Sequence, residues 1–145
     1  MSSSQSAWEA AVFAGAAPRL ETMLRNDPTL ANVRLTAGQR ALHMAARLSN
    51  DRVAALLINV PVTDVDAQDD AGNAPLHVAA SVAADAIVRM LIKAGATVDV
   101  RNALGETPLF AAAMLGNEAA VTLLVEAGAD ENWYAHRHRP VPYNR

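Results

Sequence analysis

One sentence is written twice in this chain. "GNAPLHVAASVAADAIVRMLIKAGAT" at residues 72–97 is followed by "GETPLFAAAMLGNEAAVTLLVEAGAD" at residues 105–130. Gly72 and Gly105, Pro75 and Pro108, Leu76 and Leu109, and Gly95 and Gly128 are each 33 residues apart. Upstream, Gly38 and Gly72, Leu42 and Leu76, and His43 and His77 are each 34 apart. The extra residue is placed in "LLINVPVTDVDAQD" at residues 56–69, where Val60-Pro61 replaces the glycine found at Gly95 and Gly128. A weaker copy, "SAWEAAVFAGAAPRLETMLRNDPTLANVR" at residues 6–34, keeps the small-residue helix, Gly15 and the Met23-Leu24 pair. Self-similarity at this spacing is the mark of a repeat architecture and outranks any residue-level reading.

Each unit has the same local logic. A turn carries Gly38, Gly72 or Gly105. A short helix follows, opened in two units by Pro75 or Pro108, at a position where the missing N–H costs nothing. A second helix then carries apolar residues at helical spacing: Val53, Leu56 and Leu57; Ile87, Met90 and Leu91; Val121, Leu124 and Val125. Gly95 or Gly128 closes it in a left-handed cap. Neither helix is long enough to be stable alone in water. Such a unit buries its apolar side only by stacking on copies of itself, which is why the sentence recurs.

Composition agrees. The 145 residues fit one domain with a core of its own. Hydrophobic residues make up 52% but aromatics only 4%, so alanine and short aliphatics must form a thin, close-packed interior. A charged share of 19% and a net charge of −3 suit an ordered protein and give no reason to expect a nucleic-acid or membrane partner. The absence of cysteine excludes disulfides, thiolate nucleophiles and cysteine-ligated zinc. The start, "MSSSQSAWEAAVFAGAAPRL", has no basic segment followed by an apolar run, and no stretch reaches the length of a membrane span. The expected home is the cytoplasm, with the nucleus as the alternative.

The segments "APLHVAA" at residues 74–80, "TPLFAAA" at 107–113, "RALHMAA" at 40–46 and "LLVEAGAD" at 123–130 resemble the ankyrin-repeat family. The resemblance covers roughly residues 6–134. It implies an all-α solenoid of four stacked helix–turn–helix units, at about 6–34, 35–68, 69–101 and 102–134, with β-turn fingers projecting to one side. The first unit is the N-terminal cap, residues 1–134 form a single domain, and residues 135–145 are a tail. The chain also departs from the family pattern. The motif's threonine and histidine normally bond each other, but here His43 follows Arg40, His77 follows Ala74, and Thr107 is followed by Phe110. Gly15 and Gly116 stand between paired helices, whereas Ser49 and Ala83 occupy that place in the middle units. If the turn needs positive φ, each replacement costs about 1 kcal/mol.

The two ends differ. Glu9, Arg19, Glu21, Thr22 and Arg25 interleave with Trp8, Val12, Leu20, Met23 and Leu24, giving the first unit the polar outer face a cap needs. Trp8 is expected as a core anchor against the second unit. The helix at residues 118–128 has the composition of an internal repeat, yet "ENWYAHRHRPVPYNR" follows it with no further helix pair. Pro142 lies 34 residues after Pro108, as the finger of a fifth unit would. Three outcomes are open: the tail folds back with Trp133, Tyr134, Val141 and Tyr143 as a lid, the apolar face pairs with a second molecule, or the chain is part of something longer. The lid is preferred.

Candidate chemical sites are weighed against structural roles. His43 and His77 recur at a framework position without metal-ligand neighbours, which favours histidines bonded to backbone over ligands or bases. His136, Arg137, His138 and Arg139 could hold an acidic group, but a solvated tail explains them as well. Asp64, Asp66, Asp69 and Asp70 lie on turns, where aspartate bonds its own backbone. No phosphate-binding loop, nucleophile elbow or zinc-protease motif occurs, so no enzyme, metal or cofactor is expected.

The family's variable positions, transferred residue by residue, give the candidate binding surface. They are Asp70, Asn73, Leu104 and Glu106 on the fingers, Arg47, Leu48, Val82, Met114 and Leu115 at the exposed ends of first helices, and Tyr134 after the last unit. Loops on a rigid frame are where recognition residues concentrate. Leu104, Met114, Leu115 and Tyr134 are too apolar for an idle surface. Leu48, Val82 and Leu115 could equally complete packing between repeats. The expected function is binding of a folded protein partner, as inhibitor or adaptor, by a monomer or weak homodimer. The alternative is a homo-oligomer or scaffold fragment assembled through the apolar C-terminal face.

Overall fold

The computed structural model describes residues 3–132. Eight α-helices lie in chain order: α1 (Ser3–Ala14), α2 (Ala17–Asn26), α3 (Ala41–Arg47), α4 (Asp51–Ile58), α5 (Pro75–Ser81), α6 (Asp85–Lys93), α7 (Pro108–Met114) and α8 (Glu118–Glu126). Short 3₁₀ turns at Pro28–Asn32 and Thr36–Gly38 join the first two units, and no strand occurs among the described residues. Helices pair within each unit. Across units, α1, α3, α5 and α7 form an inner layer, and α2, α4, α6 and α8 an outer one.

The joints obey one rule. Each inner helix ends where the amide N–H of Ala16, Asn50, Ala84 or Asn117 reaches back five residues, at 2.9–3.1 Å, to the carbonyl of Ala11, Ala45, Ala79 or Ala112. That closure requires a left-handed residue just before the donor. Gly15 (φ 62°) and Gly116 (φ 71°) fill the position at the ends of the stack, and Ser49 (φ 51°) and Ala83 (φ 58°) fill it in the middle. The turn therefore does need positive φ, and the middle units carry the strain expected of them. Outer helices α6 and α8 close in the same manner through Gly95 and Gly128. Helix α4 has no such glycine; the Thr63 hydroxyl donates instead to the Leu57 carbonyl at 2.6 Å. The period changes in this stretch. Leu57 and Leu91 are 34 residues apart, whereas Asp66 and Asp99 are 33 apart.

The core is one continuous cluster from Trp8 to Ala129. Alanines at 41, 45, 46, 79, 80, 112 and 120 are buried, so the layers approach closely. Leu42, Leu57, Leu76, Ile87 and Leu91 fill the space that remains. Each such aliphatic contributes roughly 1.5–3 kcal/mol when removed from water. In α8 the structural equivalent of Val53 and Ile87 is Ala120; Val121 lies one position further round and is only half-buried. Trp8 is fully buried as expected, although its indole N–H meets no acceptor among the described residues.

Polar ties run between units along the outside. Asn32 donates to the Val62 carbonyl and accepts from the Asp64 amide. Asp66 accepts from the amide and hydroxyl of Thr97, and Asp99 from the amide of Asp130. Asp64 also accepts from the amide of Asp66. The acidic run is thus consumed largely by turn and inter-unit hydrogen bonds.

Candidate functional site

The fingers precede α3, α5 and α7. Leu35, Asp69 and Asn102 occupy equivalent positions, and each donates its amide to the carbonyl four residues on: Gln39, Asn73 or Glu106. Asp69 additionally accepts from the amides of Ala71 and Asn73, and Asn102 from those of Leu104 and Glu106, which locks these two turns. Leu35 has no side-chain acceptor, and its finger instead uses left-handed Ala37 (φ 60°) ahead of Gly38. The fingers pair edge to edge. The Asp70 amide donates to Ala37 and the Ala103 amide to Ala71, both at 3.0 Å. Gly72 permits this approach, since a Cβ there would lie 2.5 Å from the Ala103 nitrogen.

Two histidines fasten the fingers to the inner helices. The His43 Nδ1 accepts from the Arg40 amide at 3.0 Å, and its Nε2–H donates to the Asn73 carbonyl of the next finger at 2.7 Å. His77 repeats the arrangement between Ala74 and Glu106 at 3.0 and 2.8 Å. Because Nδ1 faces a donor, the hydrogen must sit on Nε2. Burial pushes both imidazoles below their ordinary pKa, and the carbonyl bonds offset this only in part. With both ring nitrogens engaged, neither histidine is placed to act as base or ligand. In the last unit the Thr107 hydroxyl caps the Phe110 amide at 3.3 Å, so the threonine–histidine bond of the family motif is formed in none of these units.

Fingers and inner helices enclose a groove of about 560 Å³ on the concave side. It holds five of the sequence-expected residues: Arg47, Asn73, Val82, Leu104 and Glu106. Leu104 is 63% exposed and Val82 40%. The Arg47 guanidinium forms no ion pair among the described residues. Asn73, Asn102 and Glu106 form a short side-chain ladder, with the Asn102 amide donating to Asn73 Oδ1 at 3.0 Å and Glu106 Oε1 at 3.3 Å. Asn102 was absent from the sequence-based set. The signal that could have found it is its equivalence to Asp69.

The remaining expected residues lie elsewhere. Leu48 and Leu115 sit at the ends of α3 and α7, 51% and 62% exposed, so packing between repeats does not consume them. Asp70 is engaged by Arg34 of the neighbouring finger. Both side chains of that pair are more than half exposed, at 65% and 56%, so it contributes only about 0–1 kcal/mol. Met114 lies on a second, apolar cleft of about 380 Å³ at the C-terminal end of the stack, with Leu109, Phe110, Val121 and Val125. Tyr134 and the cluster at residues 136–139 lie outside the described residues. Among the described residues no group of three or more histidine, aspartate or glutamate side chains could hold a metal ion, and no helix is long and apolar enough to cross a membrane.

Paired short helices in two layers, hydrogen-bonded fingers along one edge and a groove beneath them define a helical-repeat solenoid of the kind that recognises macromolecules. A family model for ankyrin repeats (three copies) matches residues 8–102 and 42–135, and the chain belongs to the ankyrin-repeat family. Its members are generally protein–protein interaction modules and typically not enzymes. A comparison with curated proteins finds no match.

Proposed function

We propose that this chain holds one folded protein partner in the concave groove and between the finger tips, and acts as an inhibitor or adaptor by occupying that partner's surface. The supporting observation is the groove itself. Exposed Leu104 and Val82 are set on a frame whose fingers are fixed by the histidine and Asx hydrogen bonds, so little order has to be imposed on binding. Arg47, which forms no ion pair among the described residues, and Glu106 line the same groove and give the apolar strip charged neighbours that select the partner's orientation.

The test compares full-length wild type with a Val82→Asp/Leu104→Asp variant and with an outer-face control, Arg52→Glu. Each is used to capture partners from the cell of origin, followed by titration of the captured protein. The double variant should bind at least about tenfold more weakly, about 1.4 kcal/mol or more, while the control binds as wild type does. Equal affinity of the double variant, with its melting temperature unchanged, would place the binding surface elsewhere.

A further inference from the structure

The three fingers are not equally furnished. At the position shared by Leu35, Asp69 and Asn102, leucine offers no polar atom, aspartate only accepts, and asparagine both accepts and donates. Asp69 spends Oδ1 on the amides of Ala71 and Asn73. Asn102 spends Oδ1 in the same way on the amides of Leu104 and Glu106, at 3.0 and 2.9 Å. Those two backbone donors fix which end of the carboxamide is oxygen, so the other end must be Nδ2. It donates to Asn73 Oδ1 at 3.0 Å and to Glu106 Oε1 at 3.3 Å. The hydrogen-bonding capacity of the Asn102 side chain is thereby used up. Its neighbours keep one atom each. Asn73 turns its oxygen to Asn102 and retains Nδ2 as a donor; Glu106 retains Oε2 as an acceptor. Neither atom has a partner among the described residues, and both residues line the concave groove.

We infer that the groove reads an extended, exposed stretch of its partner through the main-chain carbonyl and N–H of one residue. Asn73 Nδ2 donates to that carbonyl and Glu106 Oε2 accepts from that N–H. An extended residue presents both groups on one edge, as paired strands do, and its alternating side chains reach the surface beside them. An apolar side chain of the stretch then meets Leu104 and Val82, which line the same groove and are exposed. A carboxylate meets Arg47, which lines the groove, is exposed and forms no ion pair among the described residues. Arg47 ends α3 in the second unit, Val82 follows α5 in the third, and Glu106 precedes α7 in the fourth, so the contacts span three units. A basic stretch would set like charges at Arg47 and is rejected. Asn102, with nothing left to offer, is a positioning residue that holds its two neighbours in opposite senses. The inference rests on the reading of the groove as the binding surface and adds the chemistry of what it binds.

The probe is a phage library of randomised exposed loops on a folded scaffold, selected against the full-length wild-type chain. Loops that bind should share an aspartate or glutamate at fixed spacing from an apolar residue, and Val82→Asp/Leu104→Asp should lose them. Glu106→Gln keeps the bond from Asn102 but turns the remaining acceptor into a donor. Asn102→Asp keeps the finger turn, as Asp69 does in its own finger, and removes both donations. Each of these two should bind the selected loops about tenfold more weakly with melting unchanged. N-methylation of one main-chain amide in a synthetic copy of the loop should weaken binding as much. Selection on Arg47→Glu should yield lysine or arginine in place of the acid. Loops lost in Val82→Asp/Leu104→Asp yet bound equally by Glu106→Gln and Asn102→Asp would overturn the inference and leave the groove reading intact. Loops bound equally by every variant would sink both. A shared asparagine or glutamine whose replacement abolishes binding, with N-methylation tolerated, would also overturn it, as would the absence of any wild-type binder. If Asn102→Asp lowers the melting temperature, Glu106→Gln decides alone.

Discussion

The third and fourth repeats share a sequence template, yet they keep different rules. The third, α5 and α6, is packed on both sides. Leu76, Ala80, Val88 and Leu91 are fully buried. Its local chemistry is the poorer of the two. Ala83 is held at φ 58°, and Ala84, ahead of α6, has no side chain with which to bond anything. The fourth, α7 and α8, has better local chemistry. Gly116 takes the left-handed turn without strain, Thr107 caps α7, and Asn117 donates to the carbonyls of Ala80 and Ser81 at 2.7 and 3.1 Å. Its packing is thinner, with Leu109 and Val121 half-buried. Where neighbours supply the burial, weak turns and caps are tolerated. Where one neighbour is missing among the described residues, the backbone rules are kept. This division follows from the nearest-neighbour character of repeat stability.

The widest expected gap comes from truncating equivalent leucines. Leu76→Ala should cost about 3 kcal/mol and Leu109→Ala about 1 kcal/mol, measured by urea denaturation. Equal costs would mean that the fourth repeat is as well packed as the third, and the comparison would collapse.

Next comes the histidine. His77→Phe copies the residue found at Phe110 but strands the Ala74 amide and the Glu106 carbonyl, at a cost of about 2 kcal/mol. The same residue sets the pH dependence. The folded-state pKa values of His43 and His77 lie below the ordinary 6.5, so the unfolded chain binds protons first as pH falls. Their contribution to stability is therefore complete above pH 6.5 and is lost as pH falls from there through the lower folded values. Melting temperature followed across this range should drop in wild type, and less steeply in His77→Phe. An acid slope unchanged by the substitution would mean that other groups govern it.

The smallest effects lie in the turns. Ala83→Gly should stabilise by about 0.5 kcal/mol, since release of the left-handed strain is partly offset by greater freedom of the unfolded chain. Gly116→Ala should destabilise by about 1 kcal/mol. A loss of stability in Ala83→Gly would show that the turn is not strained and that the third repeat concedes nothing.

Much of this was legible beforehand. The left-handed turns at Ser49 and Ala83 could be located because Gly15 and Gly116 mark the same place in other copies. The histidines could be assigned to the frame because they recur, and Leu104, exposed in the groove, stands out as a leucine at a finger tip. Ala37, left-handed in the second finger, was not legible, because its cause is the missing acceptor at Leu35 and only comparison with Asp69 and Asn102 exposes it. Nor was the pairing of Asp70 with Arg34, made across 36 residues. Met114, expected on the binding surface, lines the end cleft rather than the groove that holds Leu104.

The sequence by itself determined the period, the proline starts of α5 and α7 and the glycine closures of α6 and α8, since each depends on atoms a few residues away or one repeat distant. Tertiary structure decided which identical-looking positions are buried, which acid is already paired and which of two clefts a side chain enters. Burial is set by whether a neighbouring layer is present, and no local pattern encodes that.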